Sequence, residues 1–401
     1  MRVLFVIGNL GDYHVPRYEA FLRLAAARGD EVFLAEIFGK SSVYSFPQDR
    51  RARFFERKTA RSLTLINDAS DAGGHWVKVA AGLLDVVRRF APEIVVTLGY
   101  NTSYSIWLCL LKTLSHRFLL IYMSDSKADD GKRHAMKESF KRMLVRKFDG
   151  ALVAGEKHRA YASSLGIPLA RSRVGLDVVD VEYFSRRSTD ARACDSDARA
   201  RHRLPCRYVL CVSRFVRRKN VDLVIKAYFR SGLRETGTSL VLVGQGPCGA
   251  RLRRLITELG LHDHVVILDS VKNGDMPAVY ALSEFVVLAS QFDQWGLCIN
   301  EAFAAGRPAI VTKTCGVADE LVMDGVNGFV VEPGNVEMLA DRIGLLGTDL
   351  TLRERFARSA WSVARDWTPH LFASNLFDLS DSIVSGTTRT LDSKERANSP
   401  G

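Results

Sequence analysis

Cysteine is scarce: seven residues in 401, at Cys109, Cys194, Cys206, Cys211, Cys248, Cys298 and Cys315. The number is odd, the positions are scattered and no Cys-x-x-Cys pair occurs, so neither a disulfide framework nor a zinc-binding pattern is suggested. A reducing cytoplasm is the simplest setting. Long apolar runs are also missing. The opening "MRVLFVIGNLG" holds an apolar run too short for a secretion signal, and "IWLCLLKTLSHRFLLIYM" from Ile106 is interrupted by Lys112, His116 and Arg117. No segment is expected to cross a bilayer. Acids are the minority, 45 Asp and Glu against 56 Lys and Arg, giving a formal net charge of +11. That balance draws the chain toward anions: nucleic acid, an acidic membrane surface or phosphorylated small molecules. Nucleic acid is disfavoured because no recognition module or aromatic-basic stacking pattern accompanies the charge.

What is present is core-forming material, 47% hydrophobic and 9% aromatic, in a chain long enough for two ordinary domains. Strands and helices alternate from the start. "VLFVI" reads as a buried strand, "VPRYEAFLRLAAARG" as a helix closed by Gly29, and "EVFLAEI" as the next strand. A polar, basic loop region follows near Arg50 to Arg61, then a helix from Val77 to Phe90 stopped by Pro92, then the strand "EIVVTLG". Beyond "RFLLIYM" come the basic helical stretch "KRHAMKESFKRMLVRKF", the strand "GALVAG" and the helix "KHRAYASSLGI". Periodicity lapses in the polar "SRRSTDARACDSDARARHR", which reads as a linker, and a second alternating series runs from "YVLCVSRF" to "GFVVEPG".

The expected fold is α/β, two doubly wound Rossmann-like domains facing a cleft. Residues 1–172 form the first, holding the acceptor side, and 173–365 the second, with 173–206 as the linker region. A C-terminal helix over 366–384 is expected to pack back on the first domain, and 385–401, which includes "SGTTRTLDSKERANSPG", reads as a disordered tail.

Two stretches carry chemistry. In "FDQWGLCINEAFAAGRPAIV" the loop after the strand "FVVLAS" bears Asp293, the helix behind it bears Glu301, and Gly306 with Pro308 close that helix. Such a loop lies at the carboxyl edge of a sheet, where open α/β folds bind ligands. The backbone N–H groups of Gly296 and Leu297 open the helix and suit a phosphate. Glu301 sits where it can accept hydroxyl hydrogen bonds from a ribose. Local capping accounts for such acids as well as function does. In "VLCVSRFVRRKNVDLVIKAY", Arg214 follows a strand directly and Lys219 stands just before a helix. Two cations there can clamp a diphosphate and stabilise it as a leaving group, with Arg217 and Arg218, one or both, as solvated charges.

With these residues, "LVLVGQGP", "RVGLDVVDVEYF", "AAGRPAIV" and "CGVADELVMDGVNGFVVEPGN", the chain resembles the retaining, family-4-type glycosyltransferases of GT-B fold, glycosyl transferases group 1, most clearly from Val174 to Leu346. The first acid departs from the family's usual E-x7-E: Asp293 keeps the charge and shortens the reach. The resemblance implies sugar transfer from a nucleotide diphosphate sugar, UDP- or GDP-linked, to an acceptor hydroxyl, with retention and no required metal or cofactor. By the same resemblance Arg214 and Lys219 would hold the diphosphate, Glu301 the ribose, Asp293 the sugar, and Gly296 and Leu297 the phosphates or sugar, with Gly244 and Gly246 in a nucleotide-side loop. It suggests polysaccharide, lipopolysaccharide or glycolipid assembly, by a cytoplasmic enzyme at the inner face of the membrane. The "DSD" at Asp195 to Asp197 imitates a metal-binding D-x-D but falls in the polar linker rather than at a strand end.

A rival stands in "SLVLVGQGPCGARLRRLI". Gly244, Gly246 and Gly249 make G-x-G-x-x-G between strand and helix, and Asp269 follows at the end of the next strand, which matches a dinucleotide fingerprint and an NAD(P)-dependent oxidoreductase. That reading leaves Arg214, Lys219, Asp293 and Glu301 unexplained. A non-catalytic nucleotide-sugar-binding subunit is the other alternative. For the acceptor, a saccharide or lipid-linked saccharide, the candidates are Gly11 and His14 after the first strand, Asn101 and Tyr104 after "VVTLG", and Asp125 after "LLIYMS" as a further catalytic candidate; His75 reads as a loop histidine. The run Lys132 to Lys147 places Met136, Phe140, Met143, Leu144 and Val145 among cations, a stripe that docks on the domain core or on an anionic leaflet.

Overall fold

The computed structural model describes residues 1–41, 49–57, 61–71, 74–115, 117–131 and 133–397, with side chains to 386. It divides into two units, Met1–Ala128 with Lys132–Asp177 and Pro369–Gly401, and Asp129–Gly131 with Val178–Thr368.

Unit 1 runs β1 (Arg2–Ile7), α1 (His14–Arg28), β2 (Glu31–Lys40), α2 (Asp49–Glu56), β3 (Arg61–Ser70), α3 (Trp76–Phe90), β4 (Ile94–Leu98), α4 (Ser103–Ser115), β5 (Leu119–Ser124), α5 (Ala135–Val145), β6 (Gly150–Val153), α6 (Glu156–Leu165) and β7 (Ser172–Arg173). The sheet is parallel, in the order β3-β2-β1-β4-β5-β6-β7. β1 is buried along all but its first residue, as a continuous apolar run between two helical layers requires. α1 stops where Gly29 takes a left-handed turn (φ 72°) and returns its N–H to Ala25 and Ala26.

Unit 2 runs α7 (Val181–Ala193), α8 (Asp195–His202), β8 (Tyr208–Val212), α9 (Val221–Arg230), β9 (Ser239–Val243), α10 (Gly249–Glu258), β10 (Val265–Leu268), α11 (Met276–Ala281), β11 (Val286–Leu288), α12 (Leu297–Ala304), β12 (Ala309–Thr312), β13 (Gly328–Val331), α13 (Val336–Thr348) and α14 (Leu350–Asp366). Its sheet is again parallel, ordered β10-β9-β8-β11-β12-β13.

The structure corrects the sequence in three places. The stretch expected as a linker over 173–206 holds the helices α7 and α8. α7 buries Val181, Phe184, Ser188 and Ala191 against α11 and α12, and four apolar or small positions in a polar surface helix leave little periodic signal. The basic region from Arg50 to Arg61 contains α2, anchored by buried Phe54 and by Arg51, which makes a bidentate pair with Glu36 at 2.8 and 2.6 Å. Of the expected tail, 385–397 continues the helix α15 (Pro369–Ala397), and 398–401 lie outside the described residues. α15 packs on α1 in unit 1: Phe377 stacks on Phe21 with centroids 4.2 Å apart, and Arg28 pairs with Asp381 at 2.9 Å.

Candidate functional site

In unit 2 the chain lays β9 and β10 on one side of β8 and then places β11 on the other. The crevice beyond the carboxyl ends of β8 and β11 is therefore a topological switch point, where sheets of this kind bind ligands. The loop after β8 carries Ser213 to Lys219, and the loop after β11 carries Ala289 to Gly296.

These two loops are joined. The Lys219 ammonium pairs with Asp293, which also accepts from Ser290 Oγ at 3.1 Å. Arg218 lies 3.7 Å from the other Asp293 oxygen, donates to the Phe292 carbonyl at 3.4 Å and stacks over the Phe292 ring. The Gln291 N–H donates to the Arg218 carbonyl at 2.8 Å. Arg218 is thus drawn into the site rather than left as a solvated charge; Arg217 and Arg214 are exposed. Asp293 is buried, and its backbone is held from behind by the loop after β12, with Asp293 N–H donating to Thr314 at 3.2 Å and Gly316 N–H donating to Asp293 at 3.1 Å.

Glu301, on α12, is 6% exposed and accepts a 2.6 Å hydrogen bond from the Tyr280 hydroxyl. Gly296 opens that helix at φ 121°, with Leu297 as its first residue. Trp295 is fixed by its indole N–H to Asn300 Oδ1 at 2.8 Å and by stacking on Trp367 at 5.7 Å. The Cys298 thiol is pushed well above its ordinary pKa by burial, and among the charges acting on it are those of Lys219, Asp293 and Glu301. One cysteine thus lies in the field of all three groups. Tyr280 and Asn300 gave no signal in the sequence beyond that of core residues.

Gly244 and Gly246 follow β9, one strand away from the switch point. A Cβ on Gly244 would stand 1.9 Å from the Ser213 carbonyl oxygen, and one on Gly246 2.6 Å from that of Phe215. Phe215 N–H donates to Gln245 and Cys248 N–H to Phe215, both at 2.9 Å. In a dinucleotide fold the missing Cβ admits a pyrophosphate. Here it admits the backbone of the Arg214 loop. Asp269, the acid of that fingerprint, pairs with Arg253 at 2.7 Å on the surface. Asp195 and Asp197 lie in the first turn of α8, where Asp195 pairs with Arg199 at 2.6 Å.

Unit 1 has its own switch point, between β1 and β4. Gly11 is buried in the loop after β1, with its carbonyl accepting from His14 N–H at 2.8 Å, and Asn101 is exposed in the loop after β4. Tyr104 donates from its hydroxyl to the Leu98 carbonyl at 3.0 Å. Burial, with the Arg17 charge, drives the His14 imidazole down to a pKa of about 3, so it is neutral at pH 7. Its loop is held by a residue the sequence reading passed over. The fully buried Glu36 accepts from Leu10 N–H at 2.8 Å, Asn9 at 3.3 Å and Thr64 Oγ1 at 2.7 Å, with Arg51 supplying the charge. Asp125 lies half-buried after β5, one strand beyond this crevice, and His75 adopts a left-handed turn before α3. Among the described residues no helix is long and apolar enough to cross a membrane.

Residues 196–362 match the family model for glycosyl transferases group 1. Among similar proteins, the alpha-D-kanosaminyltransferase of Streptomyces kanamyceticus is 33% identical over 180 residues, 45% of this chain and 46% of that protein. A GDP-mannose-dependent alpha-(1-6)-phosphatidylinositol monomannoside mannosyltransferase of Mycolicibacterium smegmatis is 33% identical over 193 residues, 45% of this chain and 49% of that one. The chain thus spans about half the length of the curated relatives it matches. Among solved structures, a glycosyltransferase from Rickettsia africae aligns with a TM-score of 0.75 at 16% identity, covering 96% of this chain and 98% of its own. Anabaena HepE in complex with UDP and glucose aligns with 0.70 at 19%, covering 95% and 100%. At these identities the likeness is one of fold, two parallel-sheet α/β units of the GT-B kind.

Proposed function

We propose that the protein is a retaining glycosyltransferase that moves a sugar from a nucleotide diphosphate sugar to an acceptor hydroxyl, with no metal required. One observation carries the reading: the cationic loop after β8 and the carboxylate-bearing segment after β11 meet at the switch point of unit 2 through Lys219, Arg218 and Asp293. In this reading Arg214 and Lys219 take the diphosphate, with Arg218 as a third cation. The backbone N–H groups of Gly296 and Leu297 face the phosphates or sugar, Glu301 accepts from the ribose hydroxyls and Asp293 from the sugar. Gly244 and Gly246 serve by letting their turn press on the loop that bears Arg214.

The chemistry follows from the charges. The bond between the anomeric carbon and the phosphate oxygen breaks as negative charge gathers on the diphosphate, and fixed cations lower the energy of that charge. The acceptor oxygen bonds to the anomeric carbon on the face the phosphate leaves, and its proton passes to a leaving phosphate oxygen. The mannosyltransferase relative is named for GDP-mannose and a lipid-linked saccharide, and HepE was solved with UDP. From these we carry over a UDP- or GDP-sugar donor, and we propose a saccharide or lipid-linked saccharide acceptor, in polysaccharide, lipopolysaccharide or glycolipid assembly at the cytoplasmic face of a membrane. A panel of UDP-, GDP- and ADP-sugars assayed for donor hydrolysis and transfer tests this. Turnover of one donor class supports it. Donor binding without turnover makes the protein a nucleotide-sugar-binding subunit, and neither binding nor turnover removes the proposal.

A further inference from the structure

Helix α5 turns its apolar stripe outward. Met136, Phe140 and Met143, spaced to share one face, are 86%, 53% and 55% exposed, while Leu144, at the inner edge of that face, and Val145, on the opposite side, are buried. At 100° per residue Lys137 borders the stripe on one side and Arg142 and Arg146 on the other, with Lys147 just past its end; all four are exposed. The helix's single carboxylate, Glu138, faces inward. It accepts from Arg133 at 3.1 Å, Lys141 at 2.8 Å and the Tyr161 hydroxyl at 2.9 Å. Arg133 also lies 4.5 Å over the Tyr161 ring and donates to the Ala128 carbonyl at 2.7 Å.

This network fixes the orientation of α5. Rolling the helix to dock Met136, Phe140 and Met143 on the core would break the Glu138 bonds and expose Leu144 and Val145. Of the two ways to cover the stripe that the sequence left open, the fold therefore takes away the core. Beside the end of α5, Lys112 of α4 donates to the Lys147 carbonyl at 2.8 Å, and the same helix exposes Leu110 and Leu114 at 44% and 74%.

We propose that the outward face of α5 is an interfacial docking site for an anionic lipid surface. Its apolar centre enters the acyl boundary, and its flanking Lys and Arg side chains reach headgroup phosphates. Charge selects this occupant. An outer face with cations on both borders and no carboxylate complements an anionic leaflet, whereas a second copy of the chain would set cations against cations.

The test is flotation of the full chain with phosphatidylglycerol vesicles and with phosphatidylcholine vesicles, at low and high salt. Binding is expected on phosphatidylglycerol, weakened by salt, and at background on phosphatidylcholine. Arg142→Gln with Arg146→Gln should lower partitioning roughly 30-fold, about fivefold for each cation. Phe140→Glu with Met143→Glu should abolish it while leaving thermal unfolding unchanged, because both positions are exposed. Background flotation of the wild type on phosphatidylglycerol at low salt overturns the proposal, as does full binding by the Phe140→Glu, Met143→Glu variant. A dimer in sedimentation that this variant dissolves also overturns it, assigning the face to a second copy. None of these readouts depends on the proposed transfer activity.

Discussion

Lys219→Met separates the ion pair that the geometry gives this ammonium from the diphosphate contact proposed for it. The Lys219 and Asp293 side chains are 13% and 8% exposed, so their pair is nearly shut off from water. Removing one partner of such a pair costs about 3–5 kcal/mol, because the other charge stays buried. Asp293 keeps Ser290 at 3.1 Å and Arg218 at 3.7 Å, which sets the expected loss at the lower end, about 3 kcal/mol. Turnover should fall independently by about 100- to 1000-fold, the effect of removing one preorganised group from a developing negative charge. The double variant Lys219→Met, Asp293→Asn distinguishes the effects. With both charges gone, stability should return to within about 1 kcal/mol of wild type, since a matched neutral pair replaces a matched charged one. Turnover should not return. The assays are urea unfolding by tryptophan fluorescence, for which Trp295 stacked on Trp367 is an internal reporter, and donor hydrolysis or transfer at saturating donor. A double variant that recovers turnover together with stability would refute the reasoning, leaving Lys219 a structural cation.

Tyr280→Phe removes the hydroxyl that orients Glu301, and should raise donor KM by about tenfold with a smaller change in kcat, as loss of a hydrogen bond to a charged group implies; steady-state kinetics would show the split. Gly244→Ala puts a methyl 1.9 Å from the Ser213 carbonyl, and should destabilise unit 2 by about 3 kcal/mol or more; an unshifted melting transition would contradict the packing described. His14, with a pKa near 3 against an ordinary 6.5, binds a proton on unfolding between those values, so the native state loses stability as pH falls below about 6.5. At pH 4.5 the loss is at most about 2.7 kcal/mol, and His14→Asn should flatten the pH dependence of stability over pH 4.5–6.5.

Elements whose residues answer to one force were legible in the sequence. Runs such as "VLFVI" and "EIVVTLG" are apolar because both faces of a parallel strand are covered, and Gly29 ends α1 because the turn there is left-handed. α7 and α8 escaped because a helix that buries about one residue in three among arginines and aspartates, as α7 does, or none, as α8 does, has the composition of a loop. At the site, strand-end position singled out Arg214, Lys219, Asp293 and Glu301, and Lys219 and Asp293 meet in a pair. Arg218 could not be told from Arg217, since adjacent arginines differ only in which way the turn directs them. The glycines of "GQGPCG" show the converse limit. Spacing reports that something approaches the backbone closely, but not whether it is a phosphate or, as here, the carbonyls of Ser213 and Phe215.

The most direct measurement is a crystal structure of the protein with UDP or GDP bound. The diphosphate is predicted on Arg214 and Lys219, with the ribose hydroxyls on Glu301. A nucleotide seated instead on the Gly244–Gly249 turn, with Asp269 on its ribose, would contradict the account.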